Sequence, residues 1–319
     1  MIKRRIIIVF VFVILLITSL LIGVDQRVTF LNLITFDQTT WRIFLLSRLP
    51  RTIVIILCAT GLSIAGMIMH ALGRNKFISP STSGATDAAL LGILLYYLLI
   101  PGQSTLVKFI FSFTFAMLAT VLLLVITNRV KFKSSIYIPL IGMMIASVIG
   151  AMTTLLAQRF QLLQVLNQLR VGSFAHINII NAQLLWVLVP ALVMGILYAE
   201  KFNIIALGID FSKNLGVNYK LVMMMGLLIV STISASTYIV VGPLPFLGLV
   251  VPNLLSIYLG DNLKKNMMDV ALFGSSFVLL NDIIARLVRF PGETSISFIM
   301  GISGAIIFFY LIAQKVKSA

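Results

Sequence analysis

The feature that most limits how this chain can fold is a series of apolar runs separated by short polar segments. A helix of about 20 residues is roughly 30 Å long, which matches the hydrocarbon core of a bilayer. Hydrophobic residues make up 60% of the 319 residues, charged residues only 10%, and the mean hydropathy is +1.11. This is more apolar surface than a soluble core can bury. The sequence therefore predicts an all-α polytopic membrane protein.

We predict ten transmembrane helices within a single transmembrane domain that covers residues 1–319. Their predicted ranges are 6–24, 52–72, 84–100, 106–127, 136–157, 182–199, 219–240, 244–259, 267–288 and 294–313. Prolines flank and interrupt the eighth range, which is therefore predicted to be short or broken. Residues 158–181 form a long segment between spans five and six. Its apolar residues are spaced as in an amphipathic helix, which predicts a short surface helix there.

The basic residues predict the orientation of the spans. Of the 24 Lys and Arg residues, fifteen lie in the segments placed on one side, and nine lie on the other side or at helix ends. Short cytoplasmic loops are enriched in Lys and Arg, so both termini are predicted to be cytoplasmic. Arg48, Arg51, Arg286 and Arg289 oppose this bias, because all four fall at predicted outer ends of spans.

The reactive residues argue against an enzyme. Cys58 is the only cysteine, His70 and His176 are far apart, and no His, Asp or Glu cluster has the spacing of a metal site. The sequence has no Ser/His/Asp arrangement at one predicted depth and no Gly-x-x-x-x-Gly-Lys-Ser/Thr phosphate loop. We predict no catalytic residue, metal or cofactor in this chain. Membrane orientation explains the net charge of +15, so nucleic-acid binding is not expected.

Residues 200–220 form the longest polar stretch in the second half of the chain. This polar segment carries five charges, yet it also contains apolar residues such as Leu207, Phe211 and Leu215. Gly208 and Gly216 are placed to end short helices. The pattern predicts one short amphipathic helix, or two with a turn between them. Its apolar face either contacts another protein or lies on lipid.

Charged residues near span ends allow two interpretations each. Arg48 and Arg51 flank a proline, and Arg286 follows Asp282 by four residues. These arginines either reach the headgroups and pair within the chain, or bind carboxylates of an external protein. Carboxylates inside a membrane are costly. Asp87 and Asp282 therefore raise the alternative of a secondary transporter driven by an ion gradient.

Five motifs, in order and at matching spacing, resemble the FecCD permeases, the membrane subunits of ABC importers for iron-siderophores, haem and vitamin B12. The motifs are Arg48-Leu49-Pro50-Arg51, the turn from Arg74-Asn75 to Pro80, Leu207-Gly208 with Asn214-Leu215-Gly216-Val217, the stretch from Gly242-Pro243 to Pro252, and Asp282-Ile283-Ile284-Ala285-Arg286. The resemblance covers about residues 40–313 and implies the ten-span fold of this family. Asn75-Lys76-Phe77-Ile78 and Pro252-Asn253 depart from the usual family motifs and look like the subgroup for catecholate siderophores such as petrobactin.

The resemblance implies roles for individual residues. Arg48, Arg51 and Arg286 would receive glutamates of a substrate-binding protein, whereas Arg289 has no counterpart. The remaining positions comprise an ATPase-coupling set (Leu207, Gly208, Asn214, Leu215, Gly216 and Val217), a cytoplasmic gate (Ser134 and Ser135) and structural turns (Asn75, Pro80, Gly242, Pro243 and Pro252).

The resemblance also implies partners and a location. The chain would pair with a second permease, preferably a different one, and with two cytoplasmic ATPase subunits that use the ATP. An extracytoplasmic siderophore-binding lipoprotein would deliver the ferric siderophore. The complex would lie in the cell membrane of a bacterium.

Overall fold

The computed structural model describes residues 2–23, 32, 37–100, 102, 104–129, 137–177 and 183–318. Throughout these residues the regular structure is helical. The α-helices are α1 (Ile2–Leu21), α2 (Gln38–Ile43), α3 (Leu49–Gly73), α4 (Ala85–Leu99), α5 (Thr105–Arg129), α6 (Tyr137–Arg159), α7 (Leu163–Leu169), α8 (Leu188–Leu197), α9 (Ala199–Ala206), α10 (Ile209–Asn214), α11 (Tyr219–Val240), α12 (Leu247–Leu259), α13 (Leu263–Leu287) and α14 (Ile296–Ser318). A π-helix (Phe44–Arg48) joins α2 to α3, and a 3₁₀ helix (Gln183–Val187) precedes α8.

Each predicted span overlaps an apolar helix, with ends that differ by a few residues. Among the described residues, five helical stretches are long and apolar enough to cross a membrane, and α8 with its 3₁₀ turn and α9, bent by 57°, could add a sixth. The five stretches are Gln38–Gly73, Thr105–Thr127, Tyr137–Arg159, Tyr219–Val240 and Leu263–Leu287. Four shorter apolar helices are Arg5–Leu21, Ala85–Leu99, Leu247–Leu259 and Ile296–Leu311.

Helix α3 lies at the centre of the bundle and packs against α11, α12 and α13. Its close contact with α12 depends on small residues and on a proline. Pro252, inside α12, cannot donate to the carbonyl of Gly248. That carbonyl lies against Gly66, where any side chain would overlap it. Lipid tails are as apolar as the helix surfaces, so burial of apolar surface does not drive helices together in a membrane. Membrane helices rely instead on such close backbone approach.

Side-chain caps fix the starts of three helices. The side chain of Asp37 accepts hydrogen bonds from Thr39 and Thr40 at the start of α2, and these lower the pKa of Asp37 to about 2. Asn218 caps α11 and Asn262 caps α13 through their side-chain oxygens. Local side-chain hydrogen bonds thus mark where α2, α11 and α13 begin.

Candidate functional site

Five charged residues meet at the predicted outer end of the bundle, and we call them the arginine cluster. They are Arg48, Arg51, Asp282, Arg286 and Glu293. The π-helix runs directly into α3, which begins with Leu49 and Pro50. The last turns of α13 supply Asp282 and Arg286, and the turn before α14 supplies Glu293. The packing of these helix ends therefore gathers residues from distant parts of the chain.

Asp282 bridges two arginines. Its Oδ1 accepts a hydrogen bond from Arg51 Nη2 at 2.7 Å, and its Oδ2 accepts one from Arg286 Nη2. Arg51 Nη1 also donates to Glu293 Oε1 at 2.7 Å. Asp282 is 1% exposed and Arg286 is 5% exposed. The pairing of Arg286 with Asp282 is the i, i+4 contact that the sequence allowed.

The other donors of the cluster hold the end of α1. Arg48 Nη1 donates to the carbonyl of Leu21 at 2.7 Å, and Arg286 Nη1 donates to those of Ser19 and Ile22 at 2.9 and 2.8 Å. The last carbonyls of a helix lack helical partners and carry a partial negative charge. Three arginines and two carboxylates leave one positive charge, which this helix end offsets.

The structure thus places the three predicted docking arginines inside an internal network. Arg48, like Arg286, is 5% exposed, and only Arg51 and Glu293 reach the surface, with side-chain exposures of 12% and 21%. Arg289 is exposed. The docking role stays a prediction. Sequence reasoning missed Glu293, although it is one of only nine acidic residues and lies at the same predicted outer end.

The polar segment forms two short helices, α9 and α10, with a turn at Gly208, where φ is +115°. The two-helix form of the prediction is therefore the one observed. Leu207, Phe211 and Leu215 are 62%, 63% and 59% exposed. Asn214 and Gly216 are exposed, Gly216 has a φ of +70°, and Val217 packs partly on the core. The apolar face of α10 is open.

The polar segment is fastened to the start of α13. Asn203 Oδ1 accepts a hydrogen bond from the backbone N–H of Leu263 at 2.8 Å. Lys264 pairs with Glu200 at 2.8 Å on the surface and lowers the pKa of Glu200. Helix α13 also carries Asp282 and Arg286 near its other end, so one helix connects the polar segment with the arginine cluster.

Of the five residues predicted for structural turns, all but Pro243 are buried among the helices. Asn75 Oδ1 accepts from the N–H of Phe77, and Pro80 packs near Gly248. Gly242 has a φ of +90°, and the carbonyl of Pro243 accepts from Ser297 Oγ at 2.6 Å. Pro252 is buried inside α12.

Asn253 is one of the residues at which the sequence departs from the usual family motifs. Its Nδ2 donates to the carbonyl of Lys76 at 2.6 Å and holds the turn at residues 74–80 against α12. Here a side chain that departs from the family motif has a structural contact of its own.

The remaining candidates are not assembled into one site. Ser134 and Ser135, the predicted gate, lie outside the described residues. Asp87 is near Arg170 and Tyr238, whereas Asp282 pairs with arginines of its own cluster. Across the part of the chain that the structure describes, no three His, Cys, Asp or Glu residues are grouped to hold a metal ion.

Comparison with known proteins gives the relatives of this chain. A petrobactin import system permease protein of Bacillus subtilis is 39% identical, over 95% of this chain and 96% of that protein. A ferric-anguibactin transport system permease protein of Vibrio anguillarum is 33% identical, over 94% of this chain and 96% of that protein. A petrobactin import system permease protein of Bacillus anthracis is 32% identical, over 96% of this chain and 92% of that protein.

A solved structure shares the fold. It is an inward-facing conformation of a putative metal-chelate type ABC transporter, with a TM-score of 0.82, 23% identity, and coverage of 98% of this chain and all of that chain. Residues 6–314 match the FecCD transport family. The chain belongs to the FecCD transport family.

Proposed function

We propose that this chain is the permease subunit of a binding-protein-dependent ABC importer that takes up a ferric siderophore of the catecholate type. Family membership and the names of the relatives support this cargo class. The observation that carries the proposal is the open apolar face of the polar segment, anchored to α13 in a chain without a phosphate-binding loop. Such a chain needs a separate motor, and it offers that motor a place to bind.

Ten crossings with both termini cytoplasmic fit the helices. Helix α4 has 15 residues and is therefore about 22 Å long, shorter than a bilayer core. The segment before it contains the buried residues Ser79 and Ser83. Irregular backbone is tolerated within a membrane where protein surrounds it. This segment completes the third crossing, so the chain enters α4 from within the membrane.

The second permease subunit would cover apolar surface on α6 and α14. Met144, Val148 and Met152 form an exposed stripe along α6. Phe298, Ile302 and Ile306 form a similar stripe along α14. The proposed pair is a heterodimer, as the resemblance implies, in a bacterial cell membrane, with the transport path between the subunits. The cytoplasmic gate at Ser134 and Ser135 belongs to the same proposal.

The ATPase subunits would bind Leu207, Gly208, Asn214, Leu215, Gly216 and Val217. ATP would bind to those subunits, and this chain would hold no cofactor. Because Asn203 and Glu200 fasten the polar segment to α13, a movement of α10 would be transmitted along α13 to the arginine cluster.

The binding protein would dock at the arginine cluster by exchanging partners. Glu293 accepts a hydrogen bond from Arg51, as a glutamate of the binding protein would. Arg48 and Arg286 would act from inside, by holding α1 and Asp282 in place. The docking energy is then the difference between two charge-assisted pairs, which favours reversible docking.

The test is uptake into membrane vesicles that contain this permease, a second permease, the ATPase subunits and ferric petrobactin delivered by its binding protein. We expect uptake that requires ATP and survives collapse of the proton gradient. Vesicles with an ATPase subunit that cannot hydrolyse ATP are the control and should stay empty. Uptake that follows the ion gradient and ignores ATP would instead support the secondary transporter based on Asp87 and Asp282.

A further inference from the structure

A cavity of about 1050 Å³ lies beside the arginine cluster, and the proposed function does not yet use it. Helix α7 forms one wall with Gln164, Asn167 and Gln168. His176 and Glu293 line other parts. Ligand cavities in proteins commonly measure about 300–1000 Å³. This one has the volume for a single cargo of siderophore size.

The cavity wall formed by the three amide side chains of α7 results from the amphipathic pattern of this helix. Leu166 is fully buried, and Leu162 and Leu169 pack partly against the same apolar cluster. The opposite face carries Gln164, Asn167 and Gln168, which are all exposed. Because the three amides are exposed together on one face, they are available to donate hydrogen bonds to a polar ligand.

The wall is also held in place. The backbone N–H of Gly172 donates to Ser297 Oγ at 2.9 Å, and Ser295 Oγ donates to the carbonyl of Gly172 at 3.0 Å. The N–H of Ser173 donates to the carbonyl of Val241 at 2.9 Å. The cavity is therefore tied to α11 and α14, and a ligand would enter a site that is already formed.

The charge of the lining fits a passing cargo. Among the described lining residues, Glu293 is the one acidic group, and Arg51 already pairs with it at 2.7 Å. Apart from Val171 and Ala175, the other lining side chains offer hydrogen bonds through amides, hydroxyls and an imidazole. Such a surface binds an oxygen-rich ligand without a strong ion pair. A transport path needs binding that permits both entry and release.

We infer that this cavity is the entry site for the cargo, where Gln164, Asn167 and Gln168 donate hydrogen bonds to the oxygen atoms of a ferric siderophore. The inference rests on the proposed function. The pair of Arg51 and Glu293 forms the border between the cavity and the docking cluster, so cargo released by a binding protein docked there would reach the amides first.

The direct test uses the single buried cysteine. Cys58 is 0% exposed, so Asn167→Cys adds one accessible thiol to the full importer without removing the native one. The probe is a membrane-impermeant maleimide, applied with the binding protein either empty or loaded with ferric petrobactin. We expect the thiol to react several-fold more slowly with the loaded than with the empty binding protein. Equal rates, or a thiol that never reacts because a neighbouring subunit covers it, would overturn the inference.

A second variant tests the amides themselves. The triple change Gln164→Leu, Asn167→Leu and Gln168→Leu should lower uptake by about tenfold while the binding protein still stimulates ATP hydrolysis. Gln158→Leu, an exposed amide outside the cavity, is the matched control. Unchanged uptake, or equal loss of uptake and ATP hydrolysis, would count against the cavity. Absence of ATP-dependent uptake by the unaltered protein would instead reject the proposed function, so the two failures are distinguishable.

Discussion

The two ends of this bundle are built in opposite ways. At the arginine cluster, five charged groups pair with one another and with the end of α1, and most are buried. At the polar segment, large apolar side chains such as Phe211 are exposed on a short helix. A partner at the first end must exchange existing ion pairs, with a small net gain. A partner at the second end gains about 1.5–3 kcal/mol for each apolar side chain that it buries. The ends are therefore suited to transient and lasting contacts respectively.

The largest expected effect comes from removing the shared carboxylate of the arginine cluster. Asp282→Ala would leave Arg51 and Arg286 without their shared carboxylate, and breaking a buried pair costs about 3–5 kcal/mol. We expect a large fall in the melting temperature of the purified protein and in its yield. Asp261→Ala, which breaks the exposed pair with Lys76, should leave both nearly unchanged. Equal stability of the two variants would refute the description of a closed cluster.

A smaller effect should follow from straining the backbone turn at Gly208 in the polar segment. Gly208 has a φ of +115°, and another residue there costs about 1–3 kcal/mol of local strain. Gly208→Ala should raise the ATP hydrolysed per cargo transported, because α10 shifts relative to α13. Gly102→Ala, with nothing near its Cβ position, is the control. A normal ratio in the Gly208 variant would remove the turn from the coupling mechanism.

The exchange of partners at Arg51 predicts a gain of affinity. Glu293→Gln removes the internal competitor, so a binding protein should dock several-fold more tightly, as measured by surface plasmon resonance on the reconstituted permease. Glu200→Gln removes a carboxylate at the other end and should change nothing. Weaker docking by the Glu293 variant would show that the external carboxylates bind elsewhere.

The smallest effect concerns the surface pair of Glu200 and Lys264. Lys264 lowers the pKa of Glu200 from its ordinary value of 4.5. The pair therefore contributes stability above pH 4.5, and this contribution is lost as the pH falls through the lowered pKa. Glu200→Gln should slightly reduce the difference in melting temperature between neutral and acidic pH. An unaltered pH profile would mean that water screens the pair completely.

The sequence predicted those features that depend on local pattern. Apolar runs located the helices, and Gly208 and Gly216 marked the two turns of the polar segment. The long-range partners of the arginines were harder to predict from the sequence. Arg51 and Glu293 are 242 positions apart, and the α1 carbonyls that accept from Arg48 belong to the backbone, which has no sequence signature. The tertiary fold decides such contacts, and apolar periodicity does not report them.

The central claim is that a separate motor binds the open face of the polar segment, and its most direct test is the affinity of the ATPase subunits for the purified permease. Leu215 is 59% exposed, so Leu215→Asp should leave the melting temperature unchanged and weaken ATPase binding by about 10- to 100-fold. Leu215→Met should retain binding. If the aspartate variant binds the ATPase subunits as tightly as the unaltered protein does, the claim is wrong.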